Sequence, residues 1–146
     1  MNKLLAFLFL GLSIAAQADS LGVHVGTWHE KSGYNNVNPG LNYTTSEGYT
    51  AGFYCNSESH SPKYPNSPTC KLSTYAGKDF RTSVRDGVEV GLVAGIVTGY
   101  RPDPVMVLVS PHLTVSHAGY EASFLYLPKP NAKSTQALSL MVGRRF

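Results

Sequence analysis

Residues 88–100 read VEVGLVAGIVTGY. Within this stretch, apolar side chains alternate with glycine, valine and one glutamate. Successive residues of a β-strand point to opposite faces, so the alternation gives the segment two different faces. One face carries Val88, Val90, Leu92, Ala94, Ile96 and Tyr100. An aliphatic face backed by small residues is typical of a strand in a transmembrane β-barrel, with the aliphatic face turned to lipid.

The same alternation recurs along the chain, and no convincing helical period follows residue 18. The predicted strands are 21–29, 40–46, 49–56, 71–81, 88–100, 105–116, 120–127 and 135–146. Eight such segments predict an all-β protein, an eight-stranded antiparallel up-and-down transmembrane β-barrel. The alternative is a soluble periplasmic sandwich or lipocalin-like barrel, but its outward face should be polar, and here that face is aliphatic.

The N-terminus has the features of a secretory signal peptide. Lys3 precedes an apolar run from Leu4 to Ala16, and Ala16-Gln17-Ala18 supplies small residues for cleavage. A retained membrane helix would need about 20 apolar residues, which this run does not reach. We therefore expect cleavage of residues 1–18 and a mature domain of 146 − 18 = 128 residues, 19–146, in the bacterial outer membrane.

Charge and composition exclude several functions. Without Lys3 the domain has 11 basic and 9 acidic residues, a net charge of 11 − 9 = +2, with no basic block. Nucleic acid is therefore not an expected partner. His and Cys do not cluster at metal-ligand spacing, so no metal is expected. We also expect no cofactor, and a monomer.

Cys55 and Cys70 enclose a polar, proline-containing segment. Export would place them in an oxidising compartment, where a disulfide between them is the expected outcome. In the chain-entropy picture, closing a loop of this length stabilises the fold by about 3 kcal/mol.

An even number of strands places both chain ends on the periplasmic side. The outer connections are then 30–39, 57–70, 101–104 and 128–134. The alternation predicts a polar lower lumen and an apolar upper lumen, the latter formed by Val93, Val97, Met106, Leu108, Leu125 and Leu127. These aliphatic residues could hold an acyl chain or pack against each other as a plug, and the pattern alone does not choose.

Aromatic residues and prolines in and around the strands lead to further predictions. The alternation places Trp28 inside the barrel beside His24, and Tyr100 in an outer aromatic girdle. Prolines cluster around the sixth and seventh strands, at positions 102, 104, 111 and 128. Proline cannot donate a hydrogen bond to the ladder, so a lateral gap between these strands is one interpretation and ordinary loop punctuation is the other.

Several short motifs occur in an order found in a known family. They are Thr27-Trp28-His29, Asn56-Ser57, Gly91-Leu92 to Thr98, Pro104-Val105 to Pro111, Tyr126-Leu127-Pro128 and the closing Arg145-Phe146. In this order the chain resembles the lipid A palmitoyltransferases of the PagP family, over most of residues 24–146. The resemblance implies an eight-stranded outer-membrane barrel that moves an acyl chain from a phospholipid to lipid A.

The resemblance also implies roles for residues at the outer rim. His29 would be the general base, Ser57 a nucleophile or hydrogen-bond partner, and Asn56 a donor to the oxyanion. The family has Asp-Ser where this chain has Asn56-Ser57. The alternative is a non-enzymatic barrel on the same scaffold, a surface-binding or receptor-masking protein that acts through loop 57–70.

Overall fold

The computed structural model describes residues 19–101, 103–129 and 135–146. The predicted signal peptide, residues 1–18, lies outside the described residues. The strands are β1 (Ser20–His29), β2 (Val37–Thr44), β3 (Tyr49–Cys55), β4 (Leu72–Arg85), β5 (Val88–Thr98), β6 (Val105–His117), β7 (Tyr120–Leu127) and β8 (Ala137–Arg145). In the described part of the chain, no helix is long and apolar enough to cross a membrane.

The strands form one closed barrel in which each strand pairs with its neighbours in the sequence. All pairings are antiparallel, and β1 closes the barrel against β8 from Ser20 opposite Arg145 to His29 opposite Ala137. Closure pairs the first strand of the sheet with the last, so neither is left as a free edge. The prediction of an eight-stranded antiparallel barrel is therefore confirmed.

The main differences from the predicted strand limits are at β2 and β4. β2 begins at Val37, three residues before the predicted start, and β4 continues to Arg85, past the predicted end at residue 81. The connection from β4 to β5 is thus the two-residue turn Asp86-Gly87, with φ of +70° at the glycine. Asp-Gly suits a tight hairpin because glycine adopts a positive φ without steric cost.

The outward face of the barrel is aliphatic and aromatic, as the alternation predicts. Val90, Leu92 and Ile96 of β5 are exposed, whereas Glu89, Val93 and Val97 are buried inside. Exposed apolar residues on the other strands include Leu21, Val23, Leu41, Phe53, Val107, Val109, Leu113, Phe124, Tyr126, Leu138 and Val142. The aromatic residues Phe80, Tyr120 and Phe146 are also exposed.

The prediction that Trp28 faces the lumen is wrong. The β1 register shifts between His24 and Gly26, which marks a β-bulge. The shift reverses the parity of the following residues. Thr27 therefore turns inward at 7% exposure, and Trp28 turns outward at 53%.

The predicted placement of Tyr100 in the outer girdle is also wrong. β5 ends at Thr98, and Gly99 has a φ of +89°, which turns the chain over the mouth of the barrel. The Tyr100 hydroxyl lies 2.8 Å from the hydroxyl of Tyr54. Burial raises the pKa of the Tyr100 phenol well above its usual value, so this hydrogen bond joins two neutral groups.

The lower lumen is filled by a network of charged side chains. Arg81 contacts Asp79 at 2.6 Å and Glu121 at 3.2 Å. Arg145 contacts Glu121 at 2.7 Å and also binds Glu89 through both terminal nitrogens. The predicted polar lower lumen is thus confirmed, and each of its three carboxylates has at least one of the two arginines as a partner inside the barrel.

Candidate functional site

A cavity of about 80 Å³ occupies the lumen above the charged network. His29 and Ser57 lie at its outer end, and Asp79, Arg81 and His112 contribute to its floor. The apolar part of its wall consists of Val93, Val97, Leu108, Leu125 and Leu127, together with Met141 of β8. Of the predicted apolar lumen residues only Met106, opposite Val97 in the β5–β6 ladder, is absent from this wall.

The rest of the wall is largely polar, whereas the alternation predicts an apolar upper lumen. The polar residues come mainly from β1, β2, β3 and β8, and they are His24, Thr27, Asn38, Asn42, Thr44, Thr50 and Ser139. The upper lumen is therefore apolar mainly on the side of β5 to β7, with Met141 of β8 as a further apolar contact. The alternation of Asn38, Gly40, Asn42 and Thr44 was a signal that could have revealed the polar side.

Aromatic rings fill much of the space beside the cavity. The Tyr75 hydroxyl lies 3.0 Å from Nε2 of His24, and the two rings meet edge to face with centroids 5.7 Å apart. Tyr54 packs against both rings, with centroids 5.1 Å from His24 and 6.1 Å from Tyr75. These rings keep the cavity small.

At the floor of the cavity, His112 joins Asp79 to the polar interior. Its Nε2 lies 2.7 Å from the Asp79 carboxylate, and its Nδ1 lies 3.2 Å from the Thr114 hydroxyl. Thr114 in turn is 2.8 Å from Ser123. Because the Asp79 carboxylate is bound by both His112 and Arg81, it closes the floor without being left unpaired.

His29, the last residue of β1, is held at the mouth by two neighbours. Its Nδ1 donates a hydrogen bond of 2.9 Å to Oδ1 of Asn36. Its ring stacks on Tyr34, with centroids 5.0 Å apart and planes inclined by 20°. The ammonium group of Lys63 lies over the Tyr34 ring, 4.5 Å from its centroid.

Ser57 reaches the same cavity from the β3–β4 connection. It is 9% exposed, and its carbonyl accepts a hydrogen bond of 2.9 Å from the backbone N–H of Asn35. This bond joins the β1–β2 and β3–β4 connections. The structure therefore brings His29 and Ser57 to one cavity mouth although they are far apart in sequence.

Asn56 occupies a different environment from its neighbour Ser57. Its side chain is fully buried, and its amide donates 3.0 Å and 2.9 Å hydrogen bonds to Ser73 Oγ and to the Gly99 carbonyl. Its Oδ1 accepts a 3.0 Å bond from the backbone N–H of Glu58. The amide thus ties the β3–β4 connection to the end of β5, and it is not part of the cavity wall.

The β3–β4 connection is further fixed by covalent and ionic contacts. The predicted disulfide between Cys55 and Cys70 is present. The buried carboxylate of Glu58 pairs with Lys71 and accepts a 3.2 Å hydrogen bond from the backbone N–H of Arg101. The disulfide and the Glu58 contacts therefore hold the part of the mouth around Ser57 in place.

Beside the cavity, the ladder between β6 and β7 is short. It runs from His117 opposite Tyr120 to His112 opposite Leu125, whereas the β5–β6 ladder continues to Thr98 opposite Val105. Above His112, the Ser110 hydroxyl donates a 2.9 Å bond to the Tyr126 carbonyl. Among the described residues, the outer part of β6 has no ladder with β7, which agrees with the first of the two interpretations of the prolines, a lateral gap between these strands.

Within the ranges that the structure describes, no group of three or more His, Cys, Asp or Glu side chains is placed to hold a metal ion. The polar atoms of the cavity are those of hydroxyl, amide and imidazole groups, together with the paired Asp79 carboxylate and Arg81 guanidinium at the floor. Such groups suit hydrogen bonding and proton transfer.

No protein-family model and no curated protein matches this chain. Among solved structures, the chain is similar to the Yersinia pestis outer membrane protein Ail in a phospholipid bilayer nanodisc, with a TM-score of 0.53 and 12% sequence identity. The similarity covers 89% of this chain and 99% of the Ail chain. At this identity the comparison supports the fold, an eight-stranded barrel of the outer-membrane type.

Proposed function

We propose that the protein spans the bacterial outer membrane, with residues 30–36 and 56–71 on the outer surface, and transfers an acyl chain from a phospholipid to lipid A. The support for a membrane location is the outward apolar face, because a soluble barrel exposes polar groups there. The fold similarity to Ail agrees with it.

One observation carries the enzymatic proposal. The short β6–β7 ladder borders the apolar side of a cavity whose mouth holds both His29 and Ser57. Leu108 and Leu125 belong to this side, so an acyl chain that enters between β6 and β7 meets apolar side chains first. The ester carbonyl of that acyl chain then lies toward the mouth, near His29.

The chemistry is an acyl transfer between two oxygens. His29 Nε2 accepts the proton of the lipid A hydroxyl while that oxygen attacks the ester carbonyl of the phospholipid. The carbon–oxygen bond to the glycerol breaks, and the imidazolium returns the proton to the leaving oxygen. The Ser57 hydroxyl donates a hydrogen bond to the developing oxyanion.

The size of the cavity restricts how the chain is held. A volume of about 80 Å³ is small beside the roughly 300–1,000 Å³ of ordinary ligand pockets. Tyr54 and Tyr75 occupy the remaining space on the polar side. We therefore expect only the ester and the adjoining methylenes to enter the lumen, with the rest of the chain between β6 and β7 in the lipid.

Mass spectrometry of lipid A tests the proposal, using cells that express the wild type, His29→Ala, Ser57→Ala or no protein. The wild type should add one acyl chain, and His29→Ala should lower the rate by about 10²- to 10⁴-fold, the usual cost of losing a positioned base. His60→Ala is the matched control, because His60 is an exposed loop histidine outside the cavity wall. Unmodified lipid A with folded wild type would refute the enzyme proposal.

The small cavity also favours a second candidate, a non-enzymatic outer-membrane barrel that binds a partner through its outer connections. The disulfide and the Glu58 contacts give the β3–β4 connection a fixed shape, which suits recognition. Under this alternative, His29→Ala and His60→Ala leave lipid A equally unchanged, and Cys55→Ser lowers surface binding to a partner.

A further inference from the structure

The β1–β2 connection contributes a side chain to the mouth that neither the motif order nor the family resemblance indicates. Asn36 lies seven residues after His29, and its Oδ1 is 2.9 Å from His29 Nδ1. An amide oxygen only accepts hydrogen bonds, so Nδ1 must carry the proton. The remaining ring nitrogen, Nε2, then holds a free lone pair.

We infer that Asn36 is the positioning residue that makes His29 a base, by fixing the tautomer in which Nε2 accepts a proton. This inference rests on the proposed function for its catalytic meaning, whereas the tautomer itself is a property of the folded protein. Residue 36, and not residue 56, is then the hydrogen-bond partner of the base. The Asn56 amide is committed to Ser73, Gly99 and Glu58 instead.

Two further contacts restrict the ring. Stacking on Tyr34 fixes the plane of the imidazole, and Lys63 donates a hydrogen bond to the Tyr34 hydroxyl. The backbone of Asn36 is held independently, because its carbonyl accepts a 2.9 Å bond from the Thr27 N–H. Replacing the Asn36 side chain should therefore alter the histidine without unfolding the connection.

Proton transfer shows why this arrangement matters. When Nε2 takes the proton of the acceptor hydroxyl, the ring becomes an imidazolium whose Nδ1–H still donates to Asn36. The amide dipole stabilises that cation without itself being protonated. When the proton passes to the leaving oxygen, the ring returns to the starting tautomer and is ready for another turnover.

The tautomer is tested directly by ¹⁵N NMR of the full-length mature barrel, labelled at histidine and held in nanodiscs. The wild type should show the Nδ1–H form of His29. Asn36→Leu should lose this preference, and Asn36→Asp should keep it. His24 is the internal control, since its Nε2 contacts Tyr75 and Asn36 variants should leave its signals unchanged. An Nε2–H form in the wild type, or an unchanged tautomer in Asn36→Leu, would overturn the inference.

Lipid A acylation supplies the second readout. Asn36→Leu should lower kcat about tenfold or more while KM stays constant, a smaller loss than removal of the base. Asn36→Asp should restore the rate and move the acid limb of the pH profile upward, because a carboxylate stabilises the imidazolium. The other charged or titratable groups near this ring are Tyr34, which stacks on it, Lys63, which lies over Tyr34, and the next residue Glu30, which pairs with Lys129. Both variants retain them. A correct tautomer with an inactive wild type refutes the proposed function and leaves the positioning role intact.

Discussion

In the lower lumen, charged side chains from β4, β5, β7 and β8 meet partners of opposite charge, whereas the upper lumen contains a cavity with one apolar and one polar wall. The lower network fills its space and closes the barrel at the end where both chain termini lie. The upper region leaves space, shortens one ladder and gathers groups from two outer connections. The difference indicates that the lower half mainly supports stability. The upper half is less tightly packed and leaves a cavity that opens at the mouth of the barrel.

The largest stability effect should come from breaking the lower network. Arg145→Met removes one of the two arginines that contact Glu89 and Glu121, leaving Arg81 as the arginine that remains beside both buried carboxylates. Loss of one member of a buried pair costs several kcal/mol, and we expect about 3 kcal/mol here, since Arg145 is partly exposed. Urea titration of the barrel in lipid vesicles measures this change.

Arg144→Met is the matched control for that experiment. Arg144 is the preceding residue of β8, but it points outward over the Tyr120 ring. An outward substitution of this kind should change the free energy of unfolding by less than about 0.5 kcal/mol. Equal losses for Arg144→Met and Arg145→Met would contradict the assignment of the lower network as a stability element.

A smaller loss is expected at the boundary of the upper region. Asn56→Asp removes the amide donor that binds Ser73 and the Gly99 carbonyl and brings a carboxylate beside that carbonyl. A buried group left without its partner costs about 1–3 kcal/mol. We therefore expect lower stability and no gain in acylation, with Asn66→Asp in an exposed position as control. The family resemblance predicts the opposite, higher activity, so a gain would restore a catalytic role for position 56.

The smallest stability change should follow from filling the cavity. Val97→Phe projects a larger side chain from the apolar wall into open space, so its cost should lie near the lower end of the roughly 1–3 kcal/mol range for overpacking. Its effect should appear in lipid A mass spectra as reduced transfer, because the larger side chain occupies the space that the ester and the adjoining methylenes need. An unchanged acyl profile from a folded Val97→Phe barrel would show that this wall does not contact the substrate.

The fold was largely predictable because alternation is a local property. In β5 each residue from Val88 to Val97 follows the predicted sidedness, since a strand without irregularities keeps one parity. Trp28 and Tyr100 did not follow it. A bulge in β1 reversed the sidedness of Trp28, and a positive φ at Gly99 ended the strand before Tyr100. The alternation of residue types reveals neither irregularity.

The candidate site was predictable only in part. The motif order led to His29 and Ser57, and the structure places both at one cavity mouth. It did not lead to Asn36, whose role depends on how the β1–β2 connection folds back over the end of β1. Asn56 was a candidate because the resembled family has an aspartate at this position. In the structure its amide instead links the β3–β4 connection to the end of β5.

The sequence by itself determined the number of strands, their sidedness over most of their length, and the pairing of its two cysteines. These depend on residue type and spacing along a single strand or loop. Only the tertiary structure decided which polar groups meet inside the barrel, how small the cavity is, and which side chain holds His29. Those properties arise from contacts between strands and connections that are distant in sequence, so registers, bulges and turns must all be in place before they exist.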